Sequence, residues 1–258
     1  RKLNDDYAFI KNVYKILNAD IRDGSPVAPA AEWLLDNFYI IEEQVKLIRR
    51  NLSKGQYTRL PVLKAGYLRG YPRIYAIALE LVAHSDGRID TKRLTDFINA
   101  YQSQALLSMG ELWAFPLMLR VALIESIKNV CIQIDSSRNE WRKAESVAAY
   151  LSSHELDEQQ INSIMAEILD RMETVSPSFV EHLLQKLRKS GRGFFTVTAL
   201  LDRKFSEKNS STAEITDQEH RQQAEMQVSI GNSVTSLRFI SDIDWADIFE
   251  ELCRVEHI

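Results

Sequence analysis

The stretch Leu112–Ile124 constrains this chain more than any other: thirteen residues, LWAFPLMLRVALI, of which Arg120 alone is charged. Its apolar residues fall on every side of a helix rather than along one stripe, so a helix formed here must be surrounded by protein. The run is well short of the ~20 apolar residues that cross a bilayer, which makes it a central buried helix rather than a membrane span. Ser108 is placed to cap this helix, and Glu111 three residues later completes a capping-box pattern at the start of Gly110–Val130. Pro116 deprives the Leu112 carbonyl of its helical donor, so a slight bend, or a start displaced toward Pro116, is expected. Read as a large core side chain, Trp113 should cost about 3–5 kcal/mol when cut back to Ala.

Around this helix the composition is that of a helical globular protein. The 258 residues are 45% hydrophobic, ample for a sizeable core. Nine glycines, six prolines and few alternating β-branched runs argue against a sandwich or barrel. A net charge of -4, from 32 basic and 36 acidic residues, supplies no overall attraction to nucleic acid or to an anionic membrane. Cys131 and Cys253 lie far apart without Cys-x-x-Cys or His-spaced partners, and read as thiols in a reducing compartment. The opening Arg-Lys and the helical pattern still running at Arg254–Glu256 suggest a piece of a longer polypeptide. The expectation is an all-α fold, an irregular multi-helix bundle or helical-hairpin stack of about ten helices. It would form a single domain over residues 1–258, with a candidate sub-boundary at 205–213 in the polar run SEKNSST.

The apolar spacing predicts helices over Leu3–Leu17, Ala30–Leu52 and Ile74–His84, the last entered through Pro72. Asp90 caps the next, and Asp135-Ser136-Ser137 separates the central helix from one over Arg138–Leu151. Helices over Asp157–Met172 and Pro177–Lys189 follow. Phe194–Leu201 is read as helix although Phe-Phe-Thr-Val-Thr also fits a strand, and Ala213–Ile240 as a long helix with a possible break at Gly231-Asn232. Ser241 or Asp242 would cap a last helix through Trp245, Ile248, Phe249 and Leu252. Between Ser53 and Tyr71 the period is lost. A connection of that length is either functional or held down by packing, for which Tyr57, Leu60, Leu63, Tyr67 and Tyr71 are available.

Chemical motifs are sparse. Glu111 and Glu125 would share one face of the central helix but stand about 21 Å apart along its axis, too far for a glycosidase pair. The plainer reading has Glu111 capping the helix and Arg120 paired with a neighbour's carboxylate. His84, His154, His182, His220 and His257 lie on different elements without ligand spacing, so no metal site is expected. The basic run Lys186, Arg188, Lys189, Arg192, Arg203 and Lys204 brackets Phe194 and Phe195, a pattern that can bind phosphates. Solvated helix ends explain it as well, and nucleic acid is not expected as a partner. No phosphate-binding glycine loop or nucleophile elbow occurs.

Three segments carry a family likeness: LLDNFYIIEEQVKLIRRNLSKGQYTRLPVL (Leu34–Leu63), the region from GYPRIYAIALELVAHSDGRID to GELWAFPLMLRVALIE (Gly70–Glu125), and EHRQQAEMQVSIGNSVTSLRFISDIDWADIFE (Glu219–Glu250). Together they resemble the N-terminal region of bacterial cyclic β-1,2-glucan synthases, very large inner-membrane proteins. Gly-Glu-Leu-Trp-Ala, residues 110–114, is the strongest signature. In that family a glycosyltransferase using UDP-glucose, then glucoamylase-like and phosphorylase-like regions, follow the part resembled here. No Gln-x-x-Arg-Trp motif is present, and no catalytic residue of the family maps onto this chain.

The resemblance therefore implies a non-catalytic, cytoplasmic helical domain that positions or regulates the synthase's catalytic modules, itself without a cofactor or membrane span. UDP-glucose would serve only the parent protein, and the partners would be other domains of the same polypeptide. The alternatives are a protein-interaction or homo-oligomerisation domain, and a module binding β-1,2-glucan or a nucleotide sugar. For the latter, Tyr57, Arg59, Tyr67, Tyr71 and Trp113 would line the cleft.

Overall fold

Apolar side chains at three- and four-residue spacing dictate the architecture. The structure is a computed structural model that describes residues 2–52, 59–207 and 209–253. Among these it is all-α, with ten helices: α1 (Lys2–Arg22), α2 (Pro29–Leu52), α3 (Arg73–His84), α4 (Thr91–Gln102), α5 (Met109–Ser153), α6 (Glu158–Arg171), α7 (Pro177–Ser190), α8 (Phe194–Ser206), α9 (Thr212–Asp242) and α10 (Trp245–Leu252). No described helix is long and apolar enough to cross a membrane.

The chain divides into two compact units, Arg1–Ile132 with Met226–Ile258, and Gln133–Glu225. Both α5 and α9 contribute residues to each. The stretch 205–213, a boundary candidate from composition, lies inside the second unit.

In the first unit α1 buries Ile10, Val13 and Leu17 against α2, which turns in Leu34, Ile41, Val45 and Ile48. Phe38 of α2 stacks on Tyr14 with ring centroids 4.0 Å apart. The apolar run of α5 is enclosed as its composition requires, with Leu112, Phe115, Leu119, Leu123 and Ile124 all essentially inaccessible. Asp90 caps α4, its carboxylate accepting from the Arg93 amide at 2.9 Å. α10 packs on α4. Its cap is Asp244, not Ser241 or Asp242, because α9 still runs through those two residues and the Ser241 hydroxyl donates back to the Leu237 carbonyl.

The turn between α3 and α4 fits against small residues of α9. Gly87 has φ +73°, and a Cβ there would stand 2.5 Å from the Ser233 hydroxyl. Ser236 donates to the Gly87 carbonyl at 2.7 Å and accepts from the Ile89 amide at 2.8 Å. Asn232 donates to the Asp86 carbonyl at 3.0 Å. Gly231 meets the Trp33 ring, and α9 passes the Gly-Asn pair unbroken.

The second unit has its own core. Ala144, Ala148 and Leu151 of α5, Ile161 and Met165 of α6, Phe179, Leu183 and Leu187 of α7, and Val197, Leu201 and Phe205 of α8 form one buried cluster. The Phe-Phe-Thr-Val-Thr segment is thus helical, since only a helix turns Val197, Leu200, Leu201 and Phe205 to one side.

Two expectations for the central helix need correcting. It does not stop at Asp135-Ser136-Ser137 but continues to Ser153, 45 residues in all. Ile134 before these polar residues and Ala144 after them are both buried, and packing on both flanks overrides weak local propensity. Of the two outcomes expected of Pro116, the displaced start does not occur: α5 starts at Met109 and runs on through the proline.

Candidate functional site

The start of α5 is fastened by a network of side-chain hydrogen bonds. Ser108 and Glu111 exchange capping bonds: the Ser108 amide and hydroxyl donate to Glu111 Oε2 at 3.0 and 2.9 Å, and the Glu111 amide donates to Ser108 Oγ at 3.3 Å. Arg73, at the start of α3, clamps the same carboxylate with Nε at 2.8 Å and Nη2 at 2.6 Å, and reaches the Leu106 carbonyl at 3.1 Å. Burial alone would raise the Glu111 pKa, but the bonds from Arg73 and Ser108 outweigh it and hold the carboxyl below its usual range.

On the outer side of this clamp lies a depression of about 460 Å³ lined by Arg59, Leu60, Pro61, Ser108, Gly110, Trp113 and Ala114. Trp113 is 62% exposed. Its ring rests on Phe249 at 4.7 Å, and Phe249 in turn lies 5.8 Å from Trp245. The reading of Trp113 as a core side chain is therefore wrong: it stands just past the cap of α5, on the side that faces water. Leu106 and Met109 nearby in sequence are also exposed.

Of the five residues read as a ligand cleft, the structure brings Arg59 and Trp113 together. Tyr57 lies outside the described residues. Tyr67 is 84% exposed and does not line the depression. Tyr71 instead lies against Tyr75 at 5.6 Å, with Lys2 Nζ 5.9 Å from its ring centre. The loop that carries these tyrosines is held by its backbone. Leu63 and Tyr71, Gly70 and Leu63, and Arg73 and Pro61 are joined by amide–carbonyl bonds of 2.8–2.9 Å around a Val62–Pro72 bridge. Its buried anchors among the described residues are Leu60 and Leu68 rather than Tyr67 and Tyr71.

The remaining polar groups of α5 are engaged structurally. Glu125 accepts from Lys2 Nζ at 2.6 Å and from the Tyr75 hydroxyl. Burial and that hydrogen bond push the Tyr75 pKa far up. Arg120, contrary to the expected pairing with a neighbour's carboxylate, is held by neutral acceptors. Its Nε donates to Gln44 Oε1 at 2.9 Å, Nη1 to the Pro116 carbonyl at 3.2 Å and Nη2 to the Ile240 carbonyl at 3.0 Å. Ile240 lies in the last turn of α9, where unsatisfied carbonyls and the negative end of the helix dipole suit a cation.

Sequence reasoning passed over the exposed side of the second unit. Phe195, the second residue of α8, has 85% of its surface exposed. Two depressions of about 580 and 700 Å³ border it, and Glu158, Phe195 and Thr196 line both. The basic run does not converge here as a patch. Lys186 pairs with Glu145 at 2.6 Å, Lys204 with Asp170 at 3.1 Å, and Arg188 lies over the Phe194 ring at 4.9 Å. The available signal was position: at 100° per residue Phe195 falls nearly opposite the stripe of Val197, Leu200, Leu201 and Phe205.

No family model matches the chain. It is 30% identical over 247 residues to the cyclic beta-(1,2)-glucan synthase NdvB of Rhizobium meliloti (strain 1021). The match takes in 96% of this chain but 9% of the relative's length, so the chain is related to a small segment of a cyclic glucan synthase.

Proposed function

We propose, from this relationship to a segment of a cyclic β-(1,2)-glucan synthase, that the chain is a non-catalytic helical part of such an enzyme that positions or regulates its catalytic modules. The observation that carries the reading is the state of the central helix. Glu111 is consumed by Arg73 and Ser108, and Glu125 by Lys2 and Tyr75, while Trp113, Leu106 and Met109 are held out to solvent beside a rigid cap. Carboxylates locked in structural bonds are poor acid/base catalysts, whereas an exposed aromatic on a fixed helix start suits docking of a neighbouring domain. In this reading the chain is a cytoplasmic part of its parent, UDP-glucose is used elsewhere in the polypeptide, and its partners are the other domains of that polypeptide.

The test is deletion of this segment from the full-length protein, with Trp113→Ala as the point variant. Deletion should lower glucan yield or broaden ring size, and Trp113→Ala should reproduce part of that effect. Unchanged yield and ring size on deletion would overturn the proposal.

A second reading is favoured by the depression that Arg59 and Trp113 share, which falls within the size range of small-ligand sites, roughly 300–1,000 Å³. There an indole face and a guanidinium would take a glucan or nucleotide-sugar unit. Calorimetric titration with β-1,2-gluco-oligosaccharides and with UDP-glucose decides it: heat lost in Trp113→Ala supports this site, and flat traces with both ligands remove it.

A further inference from the structure

We infer that the second unit carries a separate binding surface for a neutral saccharide, with the Phe195 ring as its platform and Glu158, Gln159, Asn162, Thr196 and Arg203 as its hydroxyl-binding groups. The first reason is the ring itself. The other large apolar residues of α8 beyond its first turn, Val197, Leu200, Leu201 and Phe205, are buried in the core, so folding does not require Phe195 and water disfavours it. Yet it is firmly supported. The residue that precedes α8 is Gly193, whose φ of +67° suits glycine, and Phe195 meets Phe194 edge-on at 5.4 Å. Phe194 is backed by the Arg188 guanidinium. An exposed ring on a fixed base offers the flat apolar face against which the C–H side of a pyranose can lie.

The second reason is the ground on both sides of the ring. Depressions of about 580 and 700 Å³ share Glu158, Phe195 and Thr196 in their walls, so a chain ligand can lie astride the ring. In the first of them one carboxylate, two amides, one hydroxyl and one guanidinium surround the aromatic. Each sugar hydroxyl both donates and accepts, and this set supplies both capacities. No hydrogen bond or ion pair within the described residues engages these five side chains, so none must be broken to bind.

The third reason is charge. Glu158 offsets Arg203, and the second depression sets Glu155 and Asp157 against Arg192. Phosphate or nucleic acid would be repelled by these carboxylates, whereas an uncharged polyhydroxyl ligand can donate hydrogen bonds to them. The choice of glucan as the probe rests on the function proposed above; the surface itself does not.

The test is titration of the whole 258-residue chain with linear β-1,2-gluco-oligosaccharides and, in parallel, with β-1,4-gluco-oligosaccharides of the same length. The parent, Phe195→Ala and Asn162→Ala are compared, with circular dichroism melts as the control for folding. Binding weakened at least tenfold by Phe195→Ala and reduced by Asn162→Ala is expected, with melts unchanged. Binding of the β-1,4 series alone, lost in Phe195→Ala, keeps the saccharide surface and counts against the glucan-synthase reading. Binding by neither series overturns the surface, as does affinity indifferent to Phe195→Ala. Self-association abolished by Phe195→Ala without any saccharide binding would show a protein interface instead and overturn it equally.

Discussion

Arg120 shows how much depends on one side chain in the first unit. It is 8% exposed, burial lowers its pKa, and its three acceptors are an amide oxygen and two helix carbonyls rather than a carboxylate. Hydrogen bonds to a charged group are worth about 1.5–3 kcal/mol each, and Gln44 Oε1 would be left without a donor, whereas the Ile240 carbonyl keeps the Trp245 Nε1 donor at 3.1 Å. Arg120→Met should therefore destabilise the protein by about 2–4 kcal/mol in urea titrations. Arg120→Lys should recover little, because an ammonium cannot span the three acceptors as a planar fork does. Adding Gln44→Leu to Arg120→Met should return part of the loss, since it removes one orphaned acceptor. Strict additivity of the two changes would show that the Gln44 contact contributes nothing.

At the scale of elements, His182 on α7 makes the sharper case. Its ring stacks on Trp141 of α5 at 5.0 Å and 6°, and its Nε2 lies 3.2 Å from Glu145. Burial holds the imidazole below its ordinary pKa of 6.5 despite the pull of Glu145. The folded state thus prefers the neutral ring. The resulting stability is fully present above pH 6.5 and is lost as pH falls through the lower folded-state value. The urea midpoint should drop between pH 7.5 and pH 5, and the slope should flatten in His182→Phe. An unchanged slope in that variant would assign the acid sensitivity to other groups.

The elements also show what the chain's pattern can reveal. The starts of α4 at Asp90, α6 at Asp157 and α7 at Ser176-Pro177 were legible because capping is local chemistry. The length of α5 was not legible. Asp135-Ser136-Ser137 looks like a stop until Ser137 is seen to receive the Ser178 hydroxyl at 3.2 Å, a contact made across 41 residues. The candidate site divides in the same way. Arg59 and Trp113 could be named from residue type, but the exposure of Trp113 and of Phe195 follows from which neighbours the fold brings near, and spacing carries no record of that.

For the whole molecule, the two-unit division makes a direct prediction. Residues 133–225 hold a continuous cluster of buried apolar side chains drawn from α5, α6, α7 and α8. Expressed alone, this stretch should be helical and melt cooperatively, with Leu183→Ala costing about 2–5 kcal/mol as a core truncation. A broad, non-cooperative melt of the fragment would show that its core depends on the rest of the chain. The contact between the Gly87 turn and α9 has a different consequence. Ser236 meets Gly87 across 149 residues, and Gln133–Glu225 are made in between. A ribosome adding about 5–20 residues per second needs several seconds to cross that interval. During synthesis, therefore, the inserted unit can mature first, while the earlier helices wait unfinished for the strip of small residues that closes them.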